Sequence, residues 1–137
     1  MQIQPYLYFG GRCEEAIAFY EKAVGAKREM VMYFKDAPTP PPPGALAPGM
    51  DNKIMHASLK IGNSTVLASD GDGKEKTSFQ GFSLTLLVPT VAEAEKFFGA
   101  LAEGGRVKMP VSKTFFSPGF GMLEDRFGLG WIVIVES

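Results

Sequence analysis

Glu15-Ala16-Ile17-Ala18-Phe19-Tyr20 and Glu93-Ala94-Glu95-Lys96-Phe97-Phe98 are two versions of one pattern, displaced by a constant 78 positions as from Ala16 to Ala94. Their repetition decides the fold. In the second copy Ala94, Phe97, Phe98 and Leu101 fall at i, i+3, i+4 and i+7, the spacing of one apolar face on an α-helix. Ala16, Phe19, Tyr20 and Ala23 repeat that face in the first copy. Thr90-Val-Ala-Glu93 has the form of a capping box: the threonine oxygen accepts from the third helical N–H and Glu93 bonds back to the Thr90 N–H. Gly104-Gly105 stops this helix, and Gly10-Gly11 and Gly25 bracket the other. The spacing predicts helices over residues 13–24 and 91–103.

Working outward, each helix is preceded by one strand candidate and followed by three, read from alternation and from β-branched or aromatic content. In the first half these are Ile3–Phe9, Glu29–Lys35, Ile54–Ile61 and Ser64–Ser69, with Gly62-Asn63 as a hairpin turn. In the second half they are Phe82–Val88, Val107–Phe115, Gly121–Asp125 and Trp131–Glu136. The order is βαβββ twice, an α+β domain. Residues 1–70 form the first module, the polar stretch 71–81 a linker, and 82–137 the second module. Residues 36–49 carry eight prolines and glycines beyond any strand or helix pattern, and the segment reads as a loop, a candidate lid.

A length of 137 residues fits one domain that removes about two-thirds of its unfolded surface from water. Cys13 is the only cysteine and His56 the only histidine, which excludes an internal disulfide and a zinc site of several Cys and His ligands. With 14 basic against 15 acidic residues and no basic block, a nucleic-acid partner is not expected. No stretch has the apolar length of a membrane span or signal sequence, so the expected location is the cytoplasm.

The chain resembles the PhnB-like branch of the vicinal-oxygen-chelate superfamily of glyoxalase and bleomycin-resistance-like proteins. The resemblance rests on Pro5-Tyr-Leu-Tyr-Phe9, Glu15–Tyr20 with Gly25-Ala26, Met55-His56-Ala57 through Ile61-Gly62, Ser69-Asp70, and Asp125-Arg-Phe-Gly128 before Trp131. It implies two βαβββ modules whose curved mixed sheets surround a cavity, helices on the outer faces, and a homodimer. It also implies a divalent-metal site with one ligand from the first and last strand of each module. The family pattern brings those positions to Gln4, Ser83, Leu67 or a neighbour, and Ile132. Two aliphatics cannot coordinate, glutamine is a weak ligand and serine a poor one, so no metal and no cofactor is expected. Labels linking relatives to ubiquinone methylation gain no support from a Gly-rich strand-to-helix cofactor loop of the expected kind.

Alternation puts His56, Ser58 and Lys60 on one face of their strand, with Met55, Ala57, Leu59 and Ile61 on the other. His56 is the candidate catalytic group, able to act near neutral pH as base or proton donor. A hydrogen-bonded packing histidine is the plainer reading. Gln4, Tyr6 and Tyr8 share a face of the first strand and suit a planar ligand. Ser83 and Trp131 complete the expected ligand-lining set of Gln4, Tyr6, His56, Ser58, Ser83 and Trp131. Asp70 and Asp125 read as turn formers, and Cys13, at a helix start, as core filler. The expected function is binding of a small apolar or aromatic molecule without a catalytic metal. The alternative is a metal-dependent lyase or dioxygenase with shifted ligands, His56 with Glu124 or Asp70.

Overall fold

A computed structural model describes all residues, 1–137. Its elements run β1 (Tyr6–Tyr8), α1 (Cys13–Val24), β2 (Lys27–Tyr33), β3 (Ile54–Ile61), β4 (Ser64–Ser69), β5 (Leu84–Val88), α2 (Val91–Ala102), β6 (Arg106–Ser112), β7 (Phe120–Glu124) and β8 (Gly130–Val135). The chain divides into two compact units, Met1–Thr77 and Ser78–Ser137, so the polar stretch 71–81 spans their junction. Each unit is one βαβββ module with a four-stranded mixed sheet, ordered β1-β4-β3-β2 and β5-β8-β7-β6. In both, the first and last strands pair in parallel and the remaining pairs are antiparallel. The architecture is the α+β glyoxalase/bleomycin-resistance fold.

Each helix buries the face its spacing demands. In α1 that face is Cys13, Ala16, Ile17, Tyr20 and Ala23; in α2 it is Ala94, Phe98 and Leu101. Thr90 Oγ1 accepts from the Glu93 N–H at 3.1 Å. The Glu93 carboxylate meets the Thr90 hydroxyl at 3.4 Å rather than its backbone N–H, so only half of the expected box forms.

Three strands are shorter than the alternation suggests: β5 starts at Leu84 rather than Phe82, and β1 and β6 are cut short by local bonding. β1 begins at Tyr6 because Pro5 has no N–H to donate; its carbonyl accepts from the Leu67 N–H at 2.9 Å and ends the ladder there. β6 ends at Ser112 because Thr114 closes a turn, its Oγ1 accepting from the Ser117 N–H at 3.0 Å and its own N–H donating to the Ser117 carbonyl at 2.9 Å. Pro110 inside β6 is tolerated because β6 is an edge strand. The 36–49 segment starts in a short 3-10 turn, Phe34–Asp36, and is otherwise irregular. It is fastened to its own unit by the Ala47 N–H on the Asp72 carbonyl and the Lys74 ammonium on the Gly44 carbonyl.

Candidate functional site

The first sheet has a face of Leu7, Ala57, Leu59, Val66 and Ala68, all buried. Because side chains alternate, the opposite face belongs to their neighbours. Strand register sets Tyr6 beside Leu67, Leu67 beside Ser58, and Ser58 beside Met30 in one row. Tyr8 lies beside Ser69, and His56 beside Met32, in the next. The face is open: Tyr8 is 55% and Tyr6 37% exposed.

The two tyrosine rings stack with centroids 5.0 Å apart and planes 27° from parallel. The Tyr6 hydroxyl lies 2.8 Å from His56 Nδ1, and their rings are 5.6 Å apart. His56 Nε2 has no partner within the protein and is not sealed from solvent. Burial, reinforced by Tyr8 and opposed by the Ser69 hydroxyl, raises the Tyr6 phenol above its ordinary value. It therefore remains protonated at neutral pH. The result is an aromatic platform edged by methionines and by an imidazole whose outer nitrogen faces the open side.

The other residues expected at the site are not on this sheet face. Gln4 precedes β1, is exposed, and donates from Nε2 to Gln2 Oε1 at 3.1 Å. Ser83 sits in the second unit just before β5, its hydroxyl 2.8 Å from where a side chain on Gly130 would begin. Trp131 belongs to the helix-side face of the second sheet with Leu123, Val133 and Val135. Its ring is 3% exposed and its Nε1 donates to Asp125 Oδ2 at 2.9 Å, which makes it a core residue rather than part of an open lining.

The open face of the second sheet carries Thr85, Leu87, Met109, Phe120, Met122, Ile132 and Ile134. Leu87 is 57% exposed. Its centre is apolar, with Thr85 and Ser112 among its polar groups and the Arg106–Glu124 pair at one end.

Neither aspartate is a mere turn former. Asp70 is 3% exposed; its Oδ1 accepts from the Gly11 and Cys13 N–H groups at 2.7 and 2.8 Å, and its Oδ2 from the Ile54 N–H at 2.8 Å. Gly10-Gly11 does follow a strand and open a helix, yet the helix N-terminus already holds this carboxylate, which complements its dipole. Asp125 Oδ1 accepts from the Phe127 and Leu129 N–H groups at 2.9 and 3.1 Å. Burial, with Asp70 and Glu14 adding, pushes the Cys13 thiol far above its usual range, which removes it as a nucleophile.

The residues do not fit a metal. Leu67 and Ile132, at two of the positions the family pattern implies, have no donor atom, and no group of three or more His, Cys, Asp or Glu could hold an ion. Of the shifted ligands, Asp70 is committed to three backbone N–H groups. Glu124 is paired with Lys108 at 3.1 Å and Arg106 at 3.2 Å. Sequence reasoning reached Tyr6, Tyr8, His56 and Ser58; it missed Met30, Met32 and Ser69, which only strand register assigns to this face.

The sequence model of a family described as 3-demethylubiquinone-9 3-methyltransferase matches residues 1–134. Protein YjdN of Escherichia coli is 35% identical, over 98% of this chain and 95% of its own. Among solved structures, protein PA1353 from Pseudomonas aeruginosa is 42% identical with a TM-score of 0.86, covering 99% of this chain and 98% of that one. A PhnB protein from Bacillus cereus is 24% identical with a TM-score of 0.81, covering 99% of this chain and 100% of that one. A fosfomycin resistance protein and a glyoxalase-related enzyme share the fold. No helix is long and apolar enough to cross a membrane.

Proposed function

The chain belongs to the PhnB-like family described as 3-demethylubiquinone-9 3-methyltransferase, and from that premise we propose that it binds a small planar, apolar or aromatic molecule in the cytoplasm without a catalytic metal. The observation that carries the reading is the exposed Tyr6–Tyr8 stack with His56 at the Tyr6 hydroxyl. Ring faces supply apolar contact area at small entropic cost, and one or two polar atoms orient what lies on them. Methyl transfer is not part of this reading, because the Gly10-Gly11 turn is occupied by Asp70. Self-association as a homodimer is part of it, supported by the apolar open face of the second sheet around Leu87.

Titration with 2-naphthol, followed by amide chemical shifts, tests the reading. Perturbations are expected at Tyr6, Tyr8, His56 and Met32, and Tyr8→Ala should weaken binding at least tenfold. Perturbations confined to the second unit would overturn it. Incubation with nickel, zinc and manganese, then dialysis and elemental analysis, should leave no stoichiometric metal; retention of one equivalent would end the metal-free part.

A further inference from the structure

The contact between Tyr6 and His56 decides more than where a ring lies. Imidazole is a donor at one nitrogen and an acceptor at the other, and the group bound to Nδ1 determines which. At 2.8 Å the Tyr6 hydroxyl is within hydrogen-bond range of Nδ1. Of the two groups at this contact, the phenol O–H is the stronger donor and the imidazole nitrogen the stronger acceptor, so the hydroxyl proton is the one shared. The phenol is held protonated by burial, so it has a proton to give. Nδ1 is then the acceptor, and the imidazole proton resides on Nε2, the nitrogen left open beside Met32.

We infer that Tyr6 locks His56 as the Nε2–H tautomer, so that the imidazole presents an outward hydrogen-bond donor at a fixed position and the ligand is a planar ring carrying a carbonyl-type acceptor. This rests on the platform reading and narrows it to a substrate class. A ring with no acceptor leaves the Nε2–H unpaired when it covers the imidazole, and an unpaired donor is costly to desolvate. A ring bearing a carbonyl at its edge covers the same tyrosines and satisfies the donor. The neighbours Met30, Met32 and Leu67 have no proton to donate, so the His56 donor has no competitor of its own kind among them.

Two measurements on the intact chain test it. His56 is the only histidine, so its ring nitrogens are assigned without ambiguity in a long-range proton–nitrogen spectrum recorded at mildly alkaline pH. An acceptor-type shift at Nδ1 and a protonated-type shift at Nε2 are expected, becoming a tautomer mixture in Tyr6→Phe. A protonated Nδ1 in the unsubstituted chain overturns the inference. The second measurement compares 1-indanone with indane, which differ by the carbonyl. Indanone should bind at least tenfold more tightly, and the ratio should fall to near one in His56→Phe, a variant whose folding is checked by circular dichroism. Equal binding of the two by the unsubstituted chain overturns the acceptor class while leaving the platform intact. Binding of neither removes the platform reading, and the inference with it.

Discussion

Tyr6, Tyr8, His56 and Ser58 occupy on the first sheet the side that Thr85, Leu87, Met122, Ile132 and Ile134 occupy on the second, the side away from the buried face. The two modules agree closely elsewhere. Strand order, pairing directions and the positions of the helix anchors repeat. Even the close approach of helix to sheet is solved in related ways: Ala57 and Ala68 sit side by side in the first sheet, fully buried, while in the second the matching place is Gly121. A Cβ there would come within 2.7 Å of the Phe98 ring, so that ring is accommodated by the absence of a side chain opposite it. Close packing thus ties each residue on the buried face to its neighbours. The open faces carry no such constraint, and they have diverged into an aromatic, hydrogen-bonding surface on one module and, on the other, one that is apolar at its centre with the charged Arg106–Glu124 pair at one end. A duplicated fold keeps its core and differentiates its exposed sheet surfaces, which is why the site is sought on one module alone.

The strongest way to break the comparison is through the two buried aspartates. Each fastens a turn in its own module, but Asp70 ties the start of α1 to the start of β3 and the end of β4, whereas the Asp125 bonds described above lie within residues 125–131. Asp70→Ala strands three buried N–H groups and should cost about 3–5 kcal/mol. Amide exchange should show lost protection over residues 11–16 with α2 unchanged, and Asp125→Ala should leave α1 unchanged instead. Equal loss in both helices from either variant would show that the modules do not fail separately.

Alkaline titration sharpens the difference at a smaller scale. Cys13 opens α1, and the position 78 residues later is Val91, so the buried thiol is a property of the first module only. Burial, Asp70 and Glu14 raise its pKa, with Arg28 opposing. The unfolded chain ionises the thiol above the ordinary value of 9.0 while the folded chain holds the proton, so the native state binds more protons there and stability falls as pH rises. The loss from this one group is about 1.4 kcal/mol by pH 10 relative to neutral pH. Denaturant unfolding of Cys13→Ala should lack that part of the alkaline slope. An unchanged slope would mean the thiol is not responsible.

The sequence spoke clearly wherever polarity alternates and poorly where it does not. His56-Ala57-Ser58-Leu59-Lys60 declares its faces because each apolar side chain is flanked by polar ones. Trp131-Ile-Val-Ile-Val135 does not: all five are apolar, so the pattern has a period but no sign, and Trp131 was assigned to the open lining when it belongs to the core. The same limit explains Asp70. Its partners at Gly11 and Cys13 lie 59 and 57 residues earlier, a pairing created by the meeting of three elements and absent from any local window. The link from Tyr6 to His56 spans 50 residues and is equally invisible before register is known. Helix spacing and hairpin turns are local, and β3 and β4 emerged with the boundaries that alternation gives them.

The smallest effect belongs to the second module and runs in the opposite pH direction. Glu124 on β7 receives Lys108 and Arg106 from β6, and these partners, with the Lys108 bond contributing most, lower its pKa below the ordinary 4.5 against an opposing effect of desolvation. A depressed carboxylate contributes stability above its unfolded value and loses that contribution as pH falls through the folded one. The trio lies at the surface, where solvent and salt screen charge, so the contribution is slight. Thermal unfolding of Glu124→Gln should therefore differ little from the unsubstituted chain at pH 7, with the difference shrinking below about pH 4 and in high salt. A difference that persists unchanged in acid or in salt would mean that Glu124 acts through packing against its strand rather than through its charge.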